Sequence, residues 1–215
     1  NLPNIQRKIM STCARNGKRS IVATHLLESM IKNPTPTRAE VTDVANAIYE
    51  GSDAVMLSGE TTVGKYPVEC VEFITRIANQ TEKYKTLGYE KKLIPDTDWQ
   101  HLGIAAKSIA ESIEADGIIA ITRSGSTAEI VANAKPFTTP VFAFSNNRKT
   151  LNHLSLAGSI HAFHSPMYAD HEKNISSILK FLKKTLQPKG TMKFVVISGV
   201  LSEKSADAIE IRYLK

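Results

Sequence analysis

Ser20-Ile21-Val22-Ala23-Thr24 and Asp53-Ala54-Val55-Met56-Leu57 decide the fold: two short apolar runs, the first ending in Thr24 and the second followed by Ser58. Such runs read as strands of a parallel sheet, apolar throughout because both faces are covered. Between them, Asn33-Pro34-Thr35-Pro36 is incompatible with helix and predicts a rigid loop. Thr37-Arg38-Ala39-Glu40 then has capping-box spacing and opens a helix through Ala47 and Ile48, which Gly51 ends. Upstream, Ile5, Ile9, Met10 and Cys13 recur at helical spacing as far as Asn16-Gly17. Downstream, Pro67 in a first turn starts a long amphipathic helix through Val71, Ile74, Ile77 and Ala78. Residues 1–84 therefore read helix, strand, helix, strand, helix. Two strands cannot cover both of their own faces, and a closed (β/α)8 barrel takes about 250 residues. The expectation is an α/β chain that opens with the last βα units of a TIM-type barrel, the other strands lying upstream.

Residues 85–98 are polar and turn-rich and read as a linker. A second α/β run follows over residues 99–215. It has a helix near 100–114, a strand at 117–122, a helix from Ser126 and a strand at 141–144. A helix near 148–154, a strand at 159–163, a helix at 175–186 and a strand at 194–198 come next. The last segment, 208–213, alternates and reads as an edge strand with one wet face. The connection before it is too short for a crossover helix, so the last two strands are expected to be antiparallel. The architecture implied is a three-layer α/β domain around a mostly parallel five-stranded sheet.

Composition excludes several classes. With 42% apolar and 22% charged residues the chain reads as globular, and no apolar run approaches the roughly 20 residues of a bilayer-spanning helix. Cys13 and Cys70 are the only cysteines, too few for a disulfide framework. Both are expected as buried thiols in a reducing cytoplasm. The net charge of +6 is scattered over helix faces without interleaved aromatics, which argues against nucleic acid and for steering of a small anion. His161 and His164 form an H-x-x-H, but on a strand that spacing puts them on opposite faces, so no metal site is expected.

Active sites of parallel barrels lie at the carboxyl ends of the strands. Thr24 and Ser58 end the two strands, so both hydroxyls are expected to point toward one pocket. Taken alone, a hydroxyl capping the next turn is the other reading. The wider runs decide more. Ala23 to Ile48 reads A-T-H-L-L-E-S-M-I-K-N-P-T-P-T-R-A-E-V-T-D-V-A-N-A-I, and Asp53 to Val71 reads D-A-V-M-L-S-G-E-T-T-V-G-K-Y-P-V-E-C-V. In this order and spacing they resemble the pyruvate kinase family, closely over residues 1–84 and again over 100–200.

The resemblance implies phosphoryl transfer from phosphoenolpyruvate to ADP, with magnesium as cofactor and potassium an open second cation. Thr24 would contact the carboxylate end of phosphoenolpyruvate or pyruvate. Ser58 would lie near the enolate on a proton path. Thr37, Arg38 and Glu40 would belong to a loop and helix at a subunit contact beside the site, in a homotetramer whose second domain supplies an interface. His25 stands where the family usually has glutamine. It would serve either as a packed hydrogen-bonding wall or as a group that titrates. The family's catalytic lysine, metal carboxylates, monovalent-cation ligands and most nucleotide contacts come from earlier strands, so this chain alone is expected to be inactive. The alternative is a non-catalytic module that binds a phosphometabolite or supports assembly.

Thr122-Arg123-Ser124-Gly125-Ser126-Thr127 follows a buried strand and opens a helix. Backbone N–H groups, hydroxyls and the helix dipole there would make a phosphate cradle, with Arg123 adding a guanidinium. The competing reading is a capped helix start, with Ser126 and Glu129 as a capping box. In the resemblance this loop holds the phosphate of a sugar-phosphate effector. The segment between the last two strands, residues 199–207, departs from the family's glycine-rich loop and carries two acids. That leaves the effector's identity open.

Overall fold

β1 (Ile21–Ala23) and β2 (Ala54–Met56) pair in parallel, with Ala23 opposite Met56. The computed structural model describes residues 1–199 and 207–215, and the chain divides into two units, Asn1–Ile94 and Pro95–Lys215.

In the first unit, α1 (Leu2–Arg15) precedes β1, α2 (Arg38–Tyr49) precedes β2, and α4 (Pro67–Thr81) follows the short α3 (Gly59–Thr62). The proline at the start of α4 and the Thr37/Glu40 capping box of α2 are both present. Two features were not visible in the pattern: a 3-10 turn at Glu28–Ile31 and α3 itself. Val22 and Val55 face a core of Leu26, Leu27, Met30, Val44 and Cys70, closed by Ile48, Ile74 and Ile77. The other face is open: Ile21 is 52% and Met56 48% exposed. Among the described residues the two strands are covered on one face only, as expected of two strands without the rest of a barrel. Helices pack on one side only. Cys70 is buried, but Cys13 is only half-buried, against expectation, because α1 buries Met10 alone and leaves Leu2, Ile5 and Ile9 exposed.

The division between units falls inside the stretch read as a linker. Its first part is tied to the first unit: Leu87 N–H donates to the Tyr49 carbonyl and Ile94 N–H to the Arg15 carbonyl, with a 3-10 turn at Tyr89–Lys92.

The second unit comprises α5 (Asp98–Ser112), β3 (Gly117–Ile121), α6 (Ser126–Asn133), β4 (Val141–Ser145), α7 (Arg148–Leu154), β5 (Ile160–His164), α8 (His171–Leu186), β6 (Met192–Ser198) and β7 (Ala208–Leu214). The sheet order is β5-β4-β3-β6-β7, parallel except for the antiparallel β6–β7 pair. Alternate strand residues fill two cores. Ile118, Ala120, Val141, Ala143, Val195 and Ile197 pack with α5, α6 and α7 on one face. Ile119, Phe142, Phe144, Phe194 and Val196 pack with Ile175, Ile178 and Leu182 of α8 on the other. This is why the central strands are apolar without alternation. His161 stacks on Phe142, ring centroids 5.7 Å apart.

Gly103 lets α5 and α6 approach: a Cβ there would sit 2.8 Å from the Ile130 carbonyl oxygen. Gly103→Ala is expected to cost about 1–3 kcal/mol by overpacking, read from the chemical denaturation midpoint.

β7 is an edge strand, and its wetter face is the apolar one. Ile211 and Tyr213 are 46% and 56% exposed, whereas Glu210 and Arg212 are half-buried. His171 Nε2 lies 2.6 Å from Glu210 Oε1, and Arg212 bridges Glu210 and Glu172, fastening β7 to the start of α8. Burial pushes the Glu210 carboxyl up, but His171 and Arg212 outweigh it and hold the group below the ordinary glutamate value. A depressed carboxyl contributes stability above its unfolded pKa and loses it as the pH falls through the folded one. Thermal stability is therefore expected to decline below about pH 5, and Glu210→Gln to remove about 1 kcal/mol of that dependence. Melting curves taken across pH check this.

Candidate functional site

The parallel register sets the geometry of the first unit. Thr24 and Ser58 leave neighbouring strands at the same carboxyl edge, Thr24 directly after Ala23 and Ser58 two residues after Met56. Thr24 is exposed and Ser58 half-buried. The backbone turns sharply there: Thr24 has φ +77° and His25 φ +55°. A left-handed conformation is rare for a β-branched residue and costs on the order of 1–3 kcal/mol, so it persists only where neighbours hold it.

The group that holds it is Glu60, which the sequence reading passed over. Its side chain is 1% exposed. One oxygen accepts the Leu27 N–H at 3.1 Å and the other the Ser58 N–H at 2.8 Å. A single carboxylate thus ties the loop after β1 to the loop after β2. Burial pushes the Glu60 carboxyl up, yet the backbone donors, Ser58 and Leu27 among them, and the nearby His25 outweigh it and keep the group below the ordinary value. The available signal was an acid four residues past a strand end, where an unpaired charge would not be buried.

Glu40 is similarly committed. It accepts from the Ser29 N–H and hydroxyl, both at 2.6 Å, and from the Thr37 N–H and hydroxyl at 2.7 and 2.8 Å. It locks the Glu28–Ile31 turn to α2. Burial raises its carboxyl value and these donors, acting against it, leave it lowered. Arg38, the first residue of α2, is exposed. His25 is not the packed wall that one reading expected. Its side chain is 73% exposed, and Nδ1 lies 3.1 Å from Glu28 Oε2. The turn carries the imidazole outward. Burial, with Glu60 and Glu69 nearby, pushes the Cys70 thiol up, which fits an inert core residue.

In the second unit the expected capping box of α6 does not form. Gly125, at φ +102°, is the N-cap, so Ser126 lies inside the first turn. The reason is local: the Thr122 hydroxyl accepts the Gly125 N–H at 2.9 Å and tightens the loop. Glu129 turns instead to His153, 3.0 Å away. Thr122 and Thr127 are buried, so the loop presents Ser124 and Ser126, hydroxyls 3.1 Å apart, with Arg123 exposed beside them. The Arg123 carbonyl accepts from Thr150 Oγ1 of α7 at 2.9 Å and from Ser145 Oγ at the end of β4 at 3.3 Å, and the two brace the loop. β3 lies between β4 and β6, so this loop sits at the point where the sheet's strand order reverses, where open α/β sheets take ligands. Among the described residues, the buried Ser198 hydroxyl at the end of β6 has no hydrogen-bond partner. Of the segment between the last two strands, residues 200–206 lie outside the described ones.

These features define an α/β chain with chemistry-bearing residues at the carboxyl ends of parallel strands in each unit. The family models "Pyruvate kinase, barrel domain" and "Pyruvate kinase, alpha/beta domain" match residues 1–71 and 100–212. The chain is 36% identical to a pyruvate kinase of Agrobacterium vitis over 202 residues, covering 92% of this chain and 42% of the relative. It is 37% identical to one of Dictyostelium discoideum, covering 97% of this chain and 43% of that one. The crystal structure of a pyruvate kinase from Cryptosporidium parvum superposes with a TM-score of 0.89 at 29% identity, over 98% of this chain and 43% of that chain. The chain belongs to the pyruvate kinase family. It spans about two fifths of the length of these relatives.

Proposed function

We propose that this chain is the carboxy-terminal part of a pyruvate kinase, in which it supplies one side of the active site. The phosphoryl group would pass from the enol oxygen of phosphoenolpyruvate to the terminal phosphate of ADP, and the enolate left behind would take a proton at carbon to give pyruvate. Such transfer rests on positioning and charge stabilisation. Thr24 would orient the carboxylate by its hydroxyl. Ser58 would stand on the proton path to the enolate. Glu60 would fix both through the backbone. The observation that carries the reading is the single buried carboxylate joining the two strand-end loops that bear Thr24 and Ser58.

Magnesium, and potassium if it is required, would be held by residues outside this chain. No group of three His, Cys, Asp or Glu that could hold a metal ion occurs among the described residues. The same reading has the 215-residue chain silent by itself, acting in the cytoplasm as part of a longer protein. The exposed Ile21 and Met56 support the need for further strands. Association of like chains through the second unit is supported by the exposed Ile211 and Tyr213 on edge strand β7. No helix among the described residues is long and apolar enough to cross a membrane.

A second reading is favoured by Ser124, Ser126 and Arg123 at the switch point: the second unit would bind a phosphorylated effector there, with or without catalysis. Pyruvate formation from phosphoenolpyruvate and ADP by the full-length protein tests the first reading. A silent full-length protein that still binds a sugar phosphate would leave only the second.

A further inference from the structure

The Glu40 carboxylate makes more contacts than a helix cap requires. A capping box asks one bond of its glutamate, from the N-cap N–H, and Glu40 accepts it from Thr37 at 2.7 Å. Two further bonds leave the helix for Ser29, 11 residues upstream: Oε1 accepts the Ser29 N–H and Oε2 the Ser29 hydroxyl, both at 2.6 Å. Ser29 lies on the segment that runs from Thr24 into the Glu28–Ile31 turn, and that segment is gripped by its backbone at alternate residues. Glu60 accepts the Leu27 N–H at 3.1 Å, Glu40 the Ser29 N–H, and the Ile31 carbonyl accepts the Lys65 N–H at 3.0 Å. Leu27 and Met30 of this segment are fully buried and joined by a 2.8 Å backbone bond. Thr24 and His25, just before the first grip, hold left-handed backbone, so their placement depends on where the following residues are fastened.

We propose that Glu40 is a positioning residue for phosphoryl transfer: through Ser29 it fixes the segment that carries Thr24, so that capping of α2 and placement of the substrate-binding hydroxyl are one event. The inference rests on the assignment of Thr24 as the carboxylate anchor. Hydrogen bonds to an ionised acceptor are short and strong, and Oε2 shares them between Thr37 and Ser29. The first turn of α2 therefore cannot open without letting go of Ser29. Glu60 and Glu40 act on the same segment from different elements: Glu60 joins it to the loop after β2, and Glu40 joins it to the start of α2. Loss of the Ser29 hydroxyl leaves the Ser29 N–H bond in place, so it loosens the segment without releasing it. A shift well short of unfolding is enough to misplace an orienting group.

The test is a double-mutant cycle on kcat/KM for phosphoenolpyruvate in the full-length protein, with wild type, Ser29→Ala, Thr24→Val and the two combined. Ser29→Ala should lower kcat/KM by about five- to tenfold beside wild-type Thr24. In the Thr24→Val background the same change should cost less than about twofold, because the hydroxyl it displaces is already gone. Thr37→Ala, on the other side of the carboxylate, should act in the same sense by about two- to threefold. Glu40→Gln, which keeps an acceptor for the Ser29 N–H, should lose less than Glu40→Ala. A merely structural role would lower the melting temperature and the active fraction alike in both backgrounds. Losses from Ser29→Ala of equal size with and without the Thr24 hydroxyl would overturn this inference alone. A wild-type protein that makes no pyruvate, or a Thr24→Val enzyme equal to wild type, would overturn the assignment of Thr24 and this inference with it.

Discussion

Glu60→Ala is expected to cost about 3–5 kcal/mol and to abolish most of the activity of the full-length enzyme. The substitution leaves two buried backbone donors, Leu27 N–H and Ser58 N–H, without acceptors. Each orphaned buried group costs about 1–3 kcal/mol. It also releases the turn that holds Thr24 at φ +77°. A strained residue relaxes when its neighbours no longer over-determine it, and a displacement of about 1 Å in a positioning group is enough to cost on the order of 100-fold in rate. Glu60→Gln separates the two contributions. It retains one acceptor and the side-chain volume, but sets an amide donor against a backbone donor, so its cost should fall between wild type and alanine. The same carboxyl carries a pH signature. Held below the ordinary glutamate value, it contributes stability that is present above its unfolded pKa and lost as pH falls through the folded value. Melting curves below about pH 5 should therefore converge for wild type and Glu60→Gln.

Thr24→Val is expected to reduce kcat/KM for phosphoenolpyruvate by about 30- to 100-fold without a comparable loss of stability. Valine has nearly the same shape and is β-branched in the same way, so the backbone strain at this position is unchanged. On the proposed role, what would be lost is one hydroxyl donor to the substrate carboxylate, and hydrogen bonds to charged groups contribute about 1.5–3 kcal/mol. The hydroxyl is exposed in this chain, so its removal orphans nothing inside the protein. If Thr24 grips ground state and transition state alike, the loss should appear in KM with kcat retained. Steady-state kinetics read the split directly.

Much of the fold was legible because its elements obey simple periods. The capping box at Thr37 and Glu40, the proline that opens α4 and the unbroken apolar strands between covering helices were all readable from residue type and spacing. Thr24 and Ser58 could be placed at strand ends for the same reason. Glu60 was not readable as a bridge, because its two partners are backbone N–H groups, one of them 33 residues away, and backbone donors leave no mark on residue type. The start of α6 was misread for a related reason. Ser126 and Glu129 have capping spacing, but the Thr122 hydroxyl closes the turn first, and Gly125 supplies the positive φ that makes this possible. The alternation along β7 marks an edge strand with one wet face but not which face: Glu210 and Arg212 are satisfied by His171 and Glu172 of α8, which leaves Ile211 and Tyr213 to solvent. His25 escaped the packing reading because a left-handed turn carries its ring outward.

The most direct test is pyruvate formation from phosphoenolpyruvate and ADP with magnesium and potassium, measured on three samples. They are the full-length protein, the full-length protein carrying Thr24→Val, and the 215-residue chain. Turnover is expected in the first, turnover slowed through KM in the second, and none in the third. Turnover in the 215-residue chain, or a Thr24→Val enzyme indistinguishable from wild type, would contradict the proposed role of this chain.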